Sequence, residues 1–287
     1  MAARAARFLL LGAAALALAA CGRFAHLGVA LAYANATALI TWTVDDYVDL
    51  DRAQKEQVRS EVARAMAWHR AVELPGYGRF LASISERAGR PFSEAEVAQA
   101  WDEVRAAYVR VVERVLPEAS AFLASLDERQ LAHLERRFDE DNRKFVREST
   151  KGTPQERRAE AVKRNVARIE DWTGRLSPPQ RAIVAAREEA LPTIEERLAD
   201  RRYRQSETLA LARTRDPARI AAGLRRLLID TDSWRRPEYR AKLGARDAAT
   251  FLMIARLSAT LTPEQRSHLR RRIQGYTQDI ARLASSG

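Results

Sequence analysis

Cysteine is almost absent from this sequence: Cys21 is the only one in 287 residues. A lone thiol excludes an internal disulfide framework and a thiolate metal site. Histidine is scarce too, and the four present, His26, His69, His133 and His268, show neither the His-Glu-x-x-His pattern of a zinc protease nor any other ligand-like spacing. There is no Gly-x-Ser-x-Gly elbow, no glycine-rich phosphate loop and no cysteine–histidine pairing, so an enzyme would have to work without these sequence signatures. No metal and no cofactor is expected. Aromatic residues make up only 7% and strand-like alternation is nearly missing, which excludes a β-rich fold. With 12 glycines and 10 prolines, long stretches run free of helix breakers.

What is present begins with a leader. Arg4 and Arg7 form a positive segment, Phe8 to Ala17 an uncharged one, and Leu18-Ala19-Ala20-Cys21 closes it. This is the three-part layout of a secretory signal. Its apolar run of about ten residues is half the roughly twenty needed to cross a bilayer. The closing tetrad resembles the bacterial lipobox. That resemblance implies removal of residues 1–20 and a lipid on Cys21, where two or more acyl chains anchor stably because each buried methylene contributes about 0.8 kcal/mol. In the same sorting pattern, Gly22 in place of Asp implies the outer membrane, facing the periplasm. The alternatives are a secretory leader with a chance cysteine and an uncleaved anchor.

Charge points the same way. The formal net charge is +11, or +9 once Arg4 and Arg7 leave with the leader (47 basic side chains against 38 acidic ones). A basic chain can signal nucleic acid. A secreted, anchored protein does not meet it, and here arginine is interleaved with glutamate along helices, as on solvated faces with i,i+4 pairing. Nucleic acid is therefore excluded as a partner. What the charge retains is attraction to anionic envelope lipids or acidic unfolded chains.

A recurrent pattern organises the rest: Leu50-Asp51-Arg52-Ala53-Gln54, Leu126-Asp127-Glu128-Arg129-Gln130, Leu176-Ser177-Pro178-Pro179-Gln180 and Leu261-Thr262-Pro263-Glu264-Gln265. Asp, Ser or Thr three residues before Gln is capping-box spacing: the cap oxygen accepts from the third helical N–H and Gln reaches back to the cap's own N–H. Pro178 and Pro263 fall at the first helical position, where a missing N–H costs nothing. Ser93 with Glu96 and Thr153 with Glu156 mark further starts; Pro75-Gly76, Gly89-Arg90-Pro91, Lys151-Gly152 and Gly174 mark stops. Pro117, Pro192 and Pro217 kink helices or begin new ones. The expected fold is all-α: an antiparallel helical bundle or elongated curved array of about eight or nine helices. Four segments follow. Residues 1–20 are the signal; 21–49 the lipidated N-terminus and a packed, largely uncharged segment; 50–150 and 151–287 two helical halves, which can equally be one domain.

Two resemblances add to this. Tyr47-Val48-Asp49-Leu50-Asp51 with Gln54, Trp68-His69-Arg70, Glu73-Leu74-Pro75, Asn142-Arg143-Lys144-Phe145, Trp172-Thr173-Gly174-Arg175-Leu176 and the last Leu-Thr-x-x-Gln together resemble an uncharacterised family of helical proteobacterial lipoproteins. That likeness carries no activity. The Leu-Thr-x-x-Gln elements alone are similar to helix starts of the Spy and CpxP group of periplasmic chaperones, a likeness that implies capture of unfolded clients on a basic, partly apolar concave face. Here the chain is longer, and two of its four starts carry Asp.

The densest cluster of chemically capable residues is Trp68, His69, Arg70 and Glu73. His69 and Glu73 are four apart and share a helix face, where a carboxylate raises an imidazole pKa and orients it for proton transfer or ligation. The competing reading has Trp68 packing while His69, Arg70 and Glu73 tie the helix end to a neighbour. Asp45-Asp46 with Asp51, and Asp139-Glu140-Asp141, read as helix ends or ion pairs rather than calcium loops. The expected function is a non-enzymatic, outer-membrane-anchored periplasmic lipoprotein that binds protein or envelope components, in a chaperone-like manner. One alternative is an envelope hydrolase or metal-dependent enzyme using His69 and Glu73; another is a purely structural envelope component.

Overall fold

A computed structural model of the chain describes residues 31–187 and 192–285. The leader, Cys21 and Gly22 lie outside the described residues. Among these the fold is all-α, with eleven α-helices and no strand. They are α1 (Ala36–Val48), α2 (Arg52–Trp68), α3 (Leu74–Arg87), α4 (Glu94–Ala124), α5 (Glu128–Ser149), α6 (Pro154–Thr173), α7 (Pro178–Ala186), α8 (Ile194–Arg213), α9 (Pro217–Leu228), α10 (Pro237–Ala259) and α11 (Pro263–Ser285).

The count exceeds the expected eight or nine for local reasons. The later part of the uncharged segment, from Ala36, forms a helix of its own, α1, with no capping side chain to announce it. α10 starts at Pro237 behind Arg236, which likewise makes no side-chain cap bond. Pro75-Gly76 is also no stop. The chain stays helical from residue 52 to 87 through a π turn at His69–Glu73. Pro75 has no N–H to offer the carbonyl four residues back, and its ring crowds that carbonyl. In the wider turn the Leu74 N–H donates to the His69 carbonyl five back, and Pro75 falls in the first turn of α3, where the missing donor is tolerated.

Elsewhere the caps form as the spacing requires. Asp51, Ser93, Asp127, Thr153, Ser177 and Thr193 each close a capping box, and Thr262 and Gln265 make the same two reciprocal bonds. Asp216 caps α9 through the Ala218 and Arg219 N–H groups, ahead of Pro217. Pro117 sits inside the 31-residue α4. Gly174 ends α6 at φ 76°, a left-handed φ that costs glycine nothing.

The largest core cluster joins α1, α2, α4, α5, α8 and α9 around Leu126, Leu131 and Ile220, which are fully buried. It draws on residues from both sides of the Thr150–Thr153 turn. A second cluster packs Tyr33, Ala36, Met66 and Leu74 on Ile280 of α11, so the last helix returns to the beginning of the chain along α3. A third gathers Val166, Leu176, Val184 and Leu257. Within the expected packed segment, Tyr33, Ala36, Val44, Tyr47 and Val48 are buried, and no described helix is long and apolar enough to cross a membrane.

Candidate functional site

The four Gln residues of the repeated helix starts meet in two pairs. Gln130 Nε2 donates to Gln54 Oε1 at 2.6 Å, and Gln54 Nε2 to Gln130 Oε1 at 3.2 Å. Gln180 Nε2 donates to Gln265 Oε1 at 2.8 Å, and Gln265 Nε2 back at 3.0 Å. In each pair the oxygens also accept the cap residues' N–H groups: Asp51 and Asp127 in one, Ser177 and Thr262 in the other. In the second pair the spare amide protons reach carbonyls at the mouth of the opposite helix, Gln180 to Thr260 and Gln265 to Arg175. Each motif is thus a cap and half of a clasp joining two helix N-termini. Buried amides so satisfied are costly to disturb.

Around the π turn, His69 and Glu73 are both buried. They do not act on each other as their spacing predicts. Glu73 turns to α4, where Oε1 accepts from Arg110 Nε and Oε2 from Nη2, both at 2.9 Å. His69 Nδ1 shares a 2.9 Å hydrogen bond with the Tyr33 hydroxyl, and the Tyr77 ring stands edge-on to the imidazole at 5.4 Å. Arg70 lies over Tyr33 at 5.8 Å, and its buried Nε has no hydrogen-bond partner among the described residues. Trp68 packs under Arg114, 5.9 Å from the ring centroid. Burial pushes the His69 pKa below its ordinary value, and the weaker pull of Glu73 upward does not reverse this. The expected upward shift is therefore corrected: desolvation outweighs a carboxylate already neutralised by arginine. Burial, then the Glu73 charge, pushes Tyr77 up to about 12. At neutral pH the site holds a neutral imidazole, two protonated phenols and a saturated ion pair. π turns often mark functional sites, but here every group named except the Arg70 Nε is engaged in holding α2, α3, α4 and the N-terminal segment together.

A second polar cluster, between α1, α5 and α8, went unrecognised in the sequence. The Tyr47 hydroxyl donates to Asp141, and Arg201 Nη2 lies 3.5 Å from the same carboxylate. Arg201 Nε donates to Asn142 Oδ1 at 2.7 Å, and Asn142 Nδ2 to Gln205 at 2.8 Å. Burial, then the Asp141 bond and charge, raises the Tyr47 pKa. Burial lowers that of Arg201, with Asp141 opposing. Tyr47 and Asn142 stand in the segments that carry the first family resemblance; Arg201, far along the chain among many arginines, has no local signal. Four of the other five acidic residues in the Asp45–Asp51 and Asp139–Asp141 groups read from the sequence resolve into pairs and a cap: Asp45 with Lys55 at 3.0 Å, Asp46 with Arg137 at 2.6 Å, Glu140 with Arg137, and Asp51 at its cap. Among the described residues no three His, Cys, Asp or Glu side chains converge to hold a metal ion.

An open groove of about 610 Å³ runs along α6. Ala159, Val162, Val166 and Ala167 form its floor; Arg158, Lys163 and Arg181 stand at its edges with Gln155 and Glu170. The lining holds three basic side chains against one acidic, Glu170, which pairs with Arg181 at 2.9 Å, and Lys163 lies 3.7 Å from Glu160 just outside it.

A family model described as a family of unknown function, DUF6279, matches residues 46–240. The match spans the π turn but not Tyr33, the Tyr47–Arg201 cluster, the groove and the first Gln pair. No curated protein and no solved structure matches the chain.

Proposed function

The chain belongs to the DUF6279 family, which assigns no activity, and from that premise we propose that it is an outer-membrane-anchored periplasmic lipoprotein that binds protein segments without catalysing a reaction. The observation that carries this is the α6 groove: an apolar floor supplies weak, unspecific affinity for exposed side chains, and the basic rim speeds encounter with acidic chains. This is the chemistry of transient, chaperone-like capture. Anchoring rests on the leader and on Cys21, with anionic envelope lipids as a further surface for the basic chain. Against the rival enzyme at His69 and Glu73 stands the engagement of both Glu73 oxygens by Arg110 and of the His69 Nδ1 by Tyr33.

The test is binding of a permanently unfolded, acidic model protein to the purified mature chain, with Ala167→Glu placed in the groove, where Ala167 is exposed. We expect affinity to fall about tenfold, equivalent to about 1.4 kcal/mol, with the thermal melt unchanged. Equal binding by both proteins overturns the groove as the capture surface. For the anchor, Cys21→Ser should release the protein from membranes on fractionation; persistent membrane association, with an unlipidated wild-type N-terminal peptide, overturns it.

A further inference from the structure

We propose that the outward face of the first helical segment, Leu31 to Trp42, lies in the head-group layer of the membrane to which the chain is tethered. This rests on the lipid-anchor reading above. From Leu31 to Val44 no side chain is charged. The segment is helical from residue 31, with one turn residue at Asn35, and then continues as α1. Leu31, Ala34, Ala38 and Trp42 recur every three or four residues, and Leu39 lies three before Trp42, so the five share one broad face. All five are exposed, and Leu31, Leu39 and Trp42 stand 65%, 51% and 66% in the open. The opposite face, with Tyr33, Ala36 and Val44, is buried in the core clusters. Leu31 and Trp42 are the most exposed of the large hydrophobic side chains among the described residues, ahead of Val72, Trp101 and Val104.

Three of its polar side chains are satisfied on the helix itself. Asn35 Nδ2, Thr41 Oγ1 and Thr43 Oγ1 each donate to the backbone carbonyl four residues back, at 2.8 Å in every case. Side chains that satisfy themselves on their own helix are suited to a water-poor boundary. An amphipathic Trp ring is suited to the head-group level. One turn past Trp42, Asp46 pairs with Arg137 and ends the stripe in a charged, aqueous edge.

Tether length selects the bilayer over other occupants. Cys21 precedes Leu31 by ten residues, and an extended chain covers at most about 3.6 Å per residue. A lipid on Cys21 therefore holds the stripe within about 35 Å of the head groups, and the nearest apolar surface is the membrane itself.

The single cysteine permits a test that does not depend on natural acylation. The chain beginning at Cys21 is coupled through that thiol to a maleimide lipid in phosphatidylethanolamine–phosphatidylglycerol vesicles, with and without brominated acyl chains. Brominated lipid should quench part of the tryptophan emission, and Trp42→Phe should lose that quenching while the other four tryptophans are unaffected. Absence of quenching, or equal quenching in Trp42→Phe, overturns the proposal. So does concentration-dependent self-association of the untethered chain that Trp42→Glu abolishes, which would assign the stripe to a second copy. Mass spectrometry of the native N-terminal peptide reads separately on the anchor: an unlipidated Cys21 removes that premise, whereas failed quenching in the coupled protein removes only the membrane contact.

Discussion

The π-turn site and the Tyr47 site each bury one half of a carboxylate–arginine pair, and they bury opposite halves. In the first, Glu73 is 2% exposed while its partner Arg110 is 54% exposed. In the second, Arg201 is 8% exposed and Asp141, at 17%, lies nearer the surface and has Tyr47 as a further partner. A buried pair adds little by itself, because desolvation offsets most of the Coulomb gain, but removing one partner leaves the other stranded. The difference teaches which partner is indispensable: the one that stays near water, because its loss abandons a charge that cannot reach water.

The largest expected effects follow from that asymmetry. Arg110→Ala and Asp141→Ala should each cost about 3–5 kcal/mol, since they strand Glu73 and Arg201 respectively. Denaturant melts of both variants measure this. Removing the buried member is expected to be milder. Glu73→Gln, which keeps the shape and deletes the charge, should cost about 1–3 kcal/mol and leave client binding unchanged, and Arg201→Met should cost less than Asp141→Ala. If the buried-partner variants prove the more damaging at either site, the comparison is broken. If Glu73→Gln and His69→Ala both melt like wild type yet fail to complement a deletion strain under envelope stress, the structural reading of the π turn is lost.

The clasps are expected to be next in size. Losing one cap oxygen, as in Ser177→Ala or Thr262→Ala, should cost about 1 kcal/mol. Gln180→Ala and Gln265→Ala should be non-additive, with a coupling energy of about 0.5–3 kcal/mol in a double-mutant cycle, because each amide answers the other. Additive losses would show that the two Gln residues cap their own helices and nothing more.

The smallest effect separates the two sites by pH. Burial depresses the His69 pKa in the folded chain, so unfolding releases an imidazole that binds protons more readily. The stability this contributes is complete above the unfolded value of about 6.5 and is lost as pH falls from there through the folded value. Stability measured between pH 8 and 5 should therefore drop on acidification, and His69→Gln should flatten that part of the profile. An unchanged slope in the variant would show that His69 is not the group responsible.

The helix starts were legible because capping is local: an oxygen, three residues and a Gln suffice, and prolines at the first helical position strengthen the mark. The Trp68–Glu73 segment was legible as a chemically dense one, but not in its wiring. Four-residue spacing assumes an α-helix, and Pro75 turns this stretch into a π turn in which Glu73 faces Arg110. Arg201 was illegible since an arginine among many reveals its role only when a distant Asn142 and Asp141 are brought beside it.

By itself, the sequence determined that the chain is helical, where most of its helices begin, and which short segments are rich in chemistry, because capping and turn formation are decided over a few residues. Only the tertiary structure decided that the Gln caps close on each other across 76 and 85 residues, which half of each ion pair is buried, and that the imidazole pKa falls rather than rises. These are matters of desolvation and of partners distant in the chain, and neither exists until helices from both ends of the chain have packed.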